Sequence, residues 1–277
     1  MQISKQLFGI FMKRMRLPIK IVKTLVKDRM YHPDRLIADT VILATRCGVL
    51  LILYAYIFKL KGGEINGAIY SVAAWSMFLY FIFSMLDLRE IARLITQDVK
   101  SGNVEILFSK PVSYLGYRVW WQIGAGLYSF LVTTMLGTAV LTFAVGIPKT
   151  MQITLFLPSL FLIFIGSIFL SLVLYGIVGL LAFWIEETNP IFWVVDKMVM
   201  ILGGAYLPVA LFPDFMYKFA VYSPFGASRF MSHTVYESWG SNWLMLIAIQ
   251  FFWVFLLALV AWMMFVKARE KVSINGG

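Results

Sequence analysis

ITLFLPSLFLIFIGSIFLSLVLYGIVGLLAFW, residues 153–184, holds no charged side chain. An uncharged apolar run well beyond about 18 residues is read as a membrane-crossing helix, because hydrocarbon about 30 Å thick needs about 20 helical residues to cross it. The rest of the chain has the same character. Of 277 residues, 61% are hydrophobic and 14% charged, and the mean hydropathy is +0.83. Soluble domains run near 45–50% apolar and about 25% charged. Composition therefore predicts an all-α integral membrane protein.

Outward from that run the sequence divides into six expected spans, at about 37–58, 68–86, 119–145, 153–184, 191–210 and 243–266. Residues 1–36 precede them as a basic amphipathic arm, in which 19–30 reads as a helix lying on the membrane surface. The membrane domain then occupies 37–277. Residues 211–242 are aromatic, apolar and broken by prolines, too irregular to span. No repeat or low-complexity tract stands out. Seventeen of the 24 Lys and Arg residues fall in the arm, the 87–118 loop and the C-terminal tail, and five fall in the opposite segments. Basic residues concentrate on the cytoplasmic side, so both termini and the 87–118 loop are expected there, in the plasma or inner membrane. The net charge of +10 is assigned to those loops and to anionic lipid, not to nucleic acid.

Several chemistries lack their residues. No GxxxxGK[ST] phosphate loop occurs. Cys47 is the single cysteine, His32 and His233 are the two histidines, and no His/Cys cluster has metal spacing. His233, near Ser228, Ser232 and Asp214, leaves one enzymatic alternative, a membrane enzyme acting on lipid at the outer face.

VKSGNVEILFSKPVSYLGY, residues 99–117, interrupts the apolar pattern. Residues 88–99 keep helical spacing, so the second span is expected to continue into the cytoplasm. Ser101-Gly102-Asn103 ends that helix, with Gly102 as a left-handed cap. Asn103 caps a new short helix over 104–109, which Pro111 stops. A helix of about six residues is not stable alone and must dock on something.

With these residues in view, 100–113 resembles the G-x-x-E-x-L-x-x-x-P-[VI] signature of type-2 ABC exporter permeases, through Gly102, Glu105, Leu107, Pro111 and Val112. Asn103 stands where that family often has a small hydroxyl residue. Ala182-Phe183-Trp184, Gly203…Pro208, Pro213 and Pro224-Phe225 resemble a second block of the same family. The closest branch is the six-helix permeases grouped with drug and viologen exporters. The resemblance implies that Gly102, Asn103, Val104, Glu105, Ile106, Leu107, Phe108 and Pro111 form a coupling helix that rests on a separate ATPase subunit. It also implies outer-leaflet re-entrant helices around Pro208, Pro213 and Pro224 before the last span. ATP and Mg would sit on the partner, with no cofactor on this chain. A second permease copy, or a related permease, would complete the transporter. The implied function is export of an amphipathic or hydrophobic substrate, with a lipid-linked glycan as the alternative cargo.

Arg46, Asp196 and Lys197 lie well inside expected spans. Intramembrane charges need partners, and an Arg46–Asp196 contact is expected, with Lys197 as competitor for Asp196 and snorkelling as the other outcome. Glu186 and Glu187 are expected to make a smaller cytoplasmic contact.

Overall fold

A computed structural model describes residues 17–65, 67–108, 113–151 and 153–275, without the side chains of 153–156 and 272–275. The chain is mostly helical. Helix α1 covers 17–30, and α2 (Pro33–Leu60) follows after a two-residue break, with Pro33 in its first turn, where a missing N–H costs no hydrogen bond. The expected border at residue 36 therefore falls inside a helix. A two-residue hairpin, Glu64–Ile65 with Ala68–Ile69, leads into α3 (Tyr70–Ser84). Then come α4 (Glu90–Lys100), α5 (Asn103–Phe108), α6 (Tyr114–Val145), α7 (Ile153–Leu180), α8 (Asn189–Leu202), α9 (Asp214–Tyr222), α10 (Pro224–Ala227) and α11 (Trp239–Asn275).

Four helical segments are long and apolar enough to cross a membrane: Pro33–Leu60, Tyr114–Val145, Leu157–Phe183 and Trp239–Lys271. Helix α3 is shorter, at 15 residues, or about 22 Å at 1.5 Å per residue. It is apolar all round and buried at every position from Val72 to Phe83, as a helix without a polar face must be. It forms the centre of the bundle. Helix α7 packs along α11 and against α4, and α2 and α6 pack beside α3.

Two sequence expectations change here. The second span does not run on as one helix through 88–99: α3 stops at Ser84, and a turn precedes α4. Asp87 adopts the left-handed conformation at φ 49°, which Asp tolerates better than most residues. Its carbonyl accepts the Glu90 N–H at 3.0 Å and the Gln122 side chain at 2.9 Å. The fifth helix also ends early, at Leu202 rather than 210, because Gly203 and Gly204 follow and Gly204 takes φ 85°.

Residues 203–238 form short turns and helices, exposed at Tyr206, Leu207 and along much of α9. Pro208 precedes a 3-10 turn at Val209–Leu211, Pro213 directly precedes α9, and Pro224 opens α10. Residues 226–236 are buried without a break. Polar side chains tie the segment to one end of the bundle. Tyr54 donates to the Tyr206 carbonyl (2.8 Å), Thr150 to the Val235 carbonyl (2.8 Å), and Ser76 shares a 2.6 Å hydrogen bond with Tyr236. Trp239 is buried, and its indole donates to Ser159 at 2.9 Å. The opposite end carries α1, α4, α5, residues 181–189 and the end of α11.

Candidate functional site

The stretch 99–117 is enclosed by an ion pair. Asp98, just before it, and Arg118, just after it, meet through two hydrogen bonds: Arg118 Nε donates to Asp98 Oδ2 at 2.7 Å, and Nη2 donates to Oδ1. Tyr114 Oη donates to the same carboxylate at 2.7 Å. Asp98 is only 4% exposed, so its charge is matched by a bidentate guanidinium, the geometry that best compensates burial. The pair fixes the end of α4 to the start of α6 and holds the loop between them.

Within the loop, Gly102 takes φ 72°, as the left-handed cap requires. Helix α5 begins at Asn103, one residue earlier than expected, so Asn103 lies in the first turn and not ahead of it. Val104 is buried at 3% exposure, and Leu107 packs against the core. Phe108 is the anchor: its ring contacts Tyr114 at 5.4 Å, Phe265 at 5.6 Å and Phe183 at 6.5 Å between centroids. Those rings come from α6, α11 and the 3-10 turn after α7, so one side chain joins α5 to three other elements. Lys271, in α11, reinforces the junction by donating to the Phe183 carbonyl at 2.7 Å. Asn103, Glu105 and Ile106 face outward and are exposed. Pro111 lies outside the described residues, with Lys110 and Val112.

Glu187 reaches Lys100 Nζ at 3.3 Å and accepts the Asn189 backbone N–H at 3.0 Å. That N–H, and then the lysine, hold its carboxyl below the ordinary carboxylate range.

The charges in expected spans pair differently from the sequence expectation. Asp196, 3% exposed, accepts from Tyr175 Oη at 3.0 Å and from Arg89 Nη1 at 3.4 Å. Arg89 also bonds Asp87, at 3.0 Å. Arg46 does not meet Asp196; it lines the same cavity and makes no ion pair among the described residues. The early end of α3 is the reason, since it draws residues 85–89 into the bundle and brings Arg89 to the acid first. Lys197 points elsewhere, over the Trp193 ring at 5.5 Å and toward Met200 Sδ at 3.7 Å, as adjacent helical positions about 100° apart require.

That cavity, of about 380 Å³, lies between α1, α2, the α3–α4 break, α6 and α8. It is also lined by Arg229, which the sequence reading placed on the outer surface. Arg229 is 7% exposed, and its guanidinium lies over the rings of Phe83 (4.8 Å) and Tyr80 (5.3 Å). No local motif announces this, because the arginine reaches the cavity only through the folding-back of 203–238.

The histidine alternative does not assemble. His233 is buried between the rings of Phe230 and Tyr236. Ser228 and Ser232 donate to the carbonyls of Phe225 and Arg229, and Asp214 is exposed. Among the described residues no three or more His, Cys, Asp or Glu side chains gather as a metal site.

Compared with known proteins, the chain matches no family model and no curated sequence. The resemblance to exporter permeases rests on the motifs quoted above.

Proposed function

We propose that the chain is the membrane-spanning subunit of an ATP-driven exporter, energised by separate ATPase subunits. It crosses the membrane six times, with α3 and α8 completing their crossings through the turns next to them. Both termini and α5 are cytoplasmic, 203–238 is an outer-leaflet re-entrant segment, and a second permease completes the transporter. The observation that carries this reading is the build of α5. It is a six-residue helix, too short to fold alone, with one side anchored by Val104 and Phe108 and the other presenting Asn103, Glu105 and Ile106 outward. A push on that outward side passes through Phe108 to α6, α7 and α11 together, and through the Asp98–Arg118 pair to α4. Such an element suits the transfer of a partner's motion into a bundle. The amphipathic cargo follows from the aromatic-rich spans and the polar cavity beside them.

Affinity purification of the tagged chain from its native membrane tests the reading. An ATP-hydrolysing subunit is expected to co-purify, and purification with no ATPase overturns the proposal. With the partner in hand, Glu105→Ala is expected to leave ATP turnover in place, abolish its coupling to transport, and leave the thermal unfolding of the chain unchanged. Retained coupling would remove α5 from the mechanism.

A further inference from the structure

The charges around the 380 Å³ cavity are not evenly satisfied. Its four carboxylates are all occupied. Asp196 and Asp87 are held by Arg89, Glu90 by Arg93 at 2.5 Å, and Asp39 accepts from Ser129 at 2.7 Å. Of its four arginines, Arg89 alone is used in this way. Arg29 donates only to the Ala125 carbonyl, at 3.3 Å, and neither it nor Arg46 nor Arg229 forms an ion pair among the described residues. Arg29, Arg46 and Arg229, from three separate elements, therefore face one cavity with no ion pair among the described residues, and Asp39, bonded to the Ser129 hydroxyl, is the carboxylate there that no arginine holds.

Arg229 is the inner wall of this arrangement, and its place is built rather than incidental. A Cβ at Gly203 would fall 2.6 Å from Arg229 Cγ, so only glycine lets the arginine stem pass α8 at that point. The guanidinium is stacked on two aromatic rings, and Nε is buried with no hydrogen-bond partner. Ring faces offset part of the cost of a buried cation. A buried N–H donor left open keeps a desolvation penalty that an acceptor would remove. Arginine forks match the oxygens of a phosphate group closely. Ile42, Phe81, Met85, Trp121 and Met200 supply an apolar part of the wall.

We propose that this cavity binds a phosphate-bearing amphiphile, with its anionic head among Arg29, Arg46 and Arg229 and its apolar part along the Ile42–Phe81–Met200 wall. The site consists of this chain's own side chains and needs no ATPase. A failure of binding and a failure of the transport reading are thus separate results. If both hold, the cargo carries an anionic head.

The test is equilibrium binding to the full-length purified chain in a neutral detergent, with dioctanoyl phosphatidic acid, dioctanoyl phosphatidylcholine and inorganic phosphate as probes. Phosphatidic acid is expected to bind about tenfold or more tightly than phosphatidylcholine, the worth of one charge-assisted hydrogen bond. Arg46→Gln and Arg229→Gln are each expected to weaken it about tenfold, and Lys23→Gln, on the exposed side of α1, is expected to leave it unchanged. Should Arg229→Gln fail to fold, Arg46→Gln carries the test, since Arg46 makes no ion pair in the fold that its loss would break. Inorganic phosphate binding as tightly as phosphatidic acid would keep the anion site and assign it to a free anion. Equal binding of the two lipids, or phosphatidic acid binding that neither arginine variant weakens, overturns the proposal.

Discussion

Asp98 is buried, doubly bonded by Arg118 and capped by the Tyr114 hydroxyl. Removing one member of such a pair leaves an uncompensated charge, whereas removing both is tolerated far better. Asp98→Asn is therefore expected to lower stability by about 3–5 kcal/mol, read as thermal unfolding of the detergent-purified chain. Asp98→Leu combined with Arg118→Met should recover most of that loss. A double variant no better than Asp98→Asn would show that the pair sets the fold of the loop rather than neutralising a charge. Both residues were visible in the sequence as polar positions flanking 99–117, yet nothing local marks them as partners twenty positions apart. Asp196 teaches the same lesson. Its need for a cation follows from its apolar surroundings, but Arg46 and Arg89 were equally eligible until the end of α3 was fixed.

At the scale of single elements, α5 was the most legible part of the molecule. Gly-Asn after an amphipathic run, followed by a short apolar segment and a proline, reads directly as a left-handed cap and a new turn. Gly102→Ala is expected to cost about 1–2 kcal/mol, the steric penalty of a Cβ in the left-handed region. The effect should appear as faster amide exchange over 103–108 with unchanged exchange in α3 and α7. Unchanged exchange in α5 would mean that Phe108 alone positions the helix. The α3–α4 break was not legible, for a physical reason. Helical periodicity continues through 85–89, whereas the folded chain breaks there with Asp87 at φ 49° and its carbonyl bonded by Gln122 from another helix. The short α8 was partly legible, since Gly203-Gly204 stood in the sequence as a break that apolar content alone overrode.

For the molecule as a whole, apolar residues do not separate core from surface, because lipid and interior are equally apolar. Phe83 is 1% exposed and Phe143 is 93% exposed, though each lies in a run of similar hydropathy. Phe83→Ala should therefore cost about 3–5 kcal/mol through its cavity, and Phe143→Ala should change stability by no more than about 0.5 kcal/mol, both measured as thermal unfolding in detergent. Equal losses would place Phe143 in an interface with a second chain.

The sequence by itself determined that this is a helical membrane protein, where its longest apolar helices lie, and that a short helix bounded by Gly102 interrupts the loop between α4 and α6. These follow from local quantities, namely hydropathy over a helix length and the backbone freedom of one glycine. Only the tertiary structure decided that α3 is the buried centre and that Arg89 takes Asp196. It also decided that Arg229, from the far side of the chain, joins Arg29 and Arg46 around one cavity. Each of those outcomes depends on which of several chemically equivalent partners is nearest in space, and distance in space is fixed by packing between helices rather than by order along the chain.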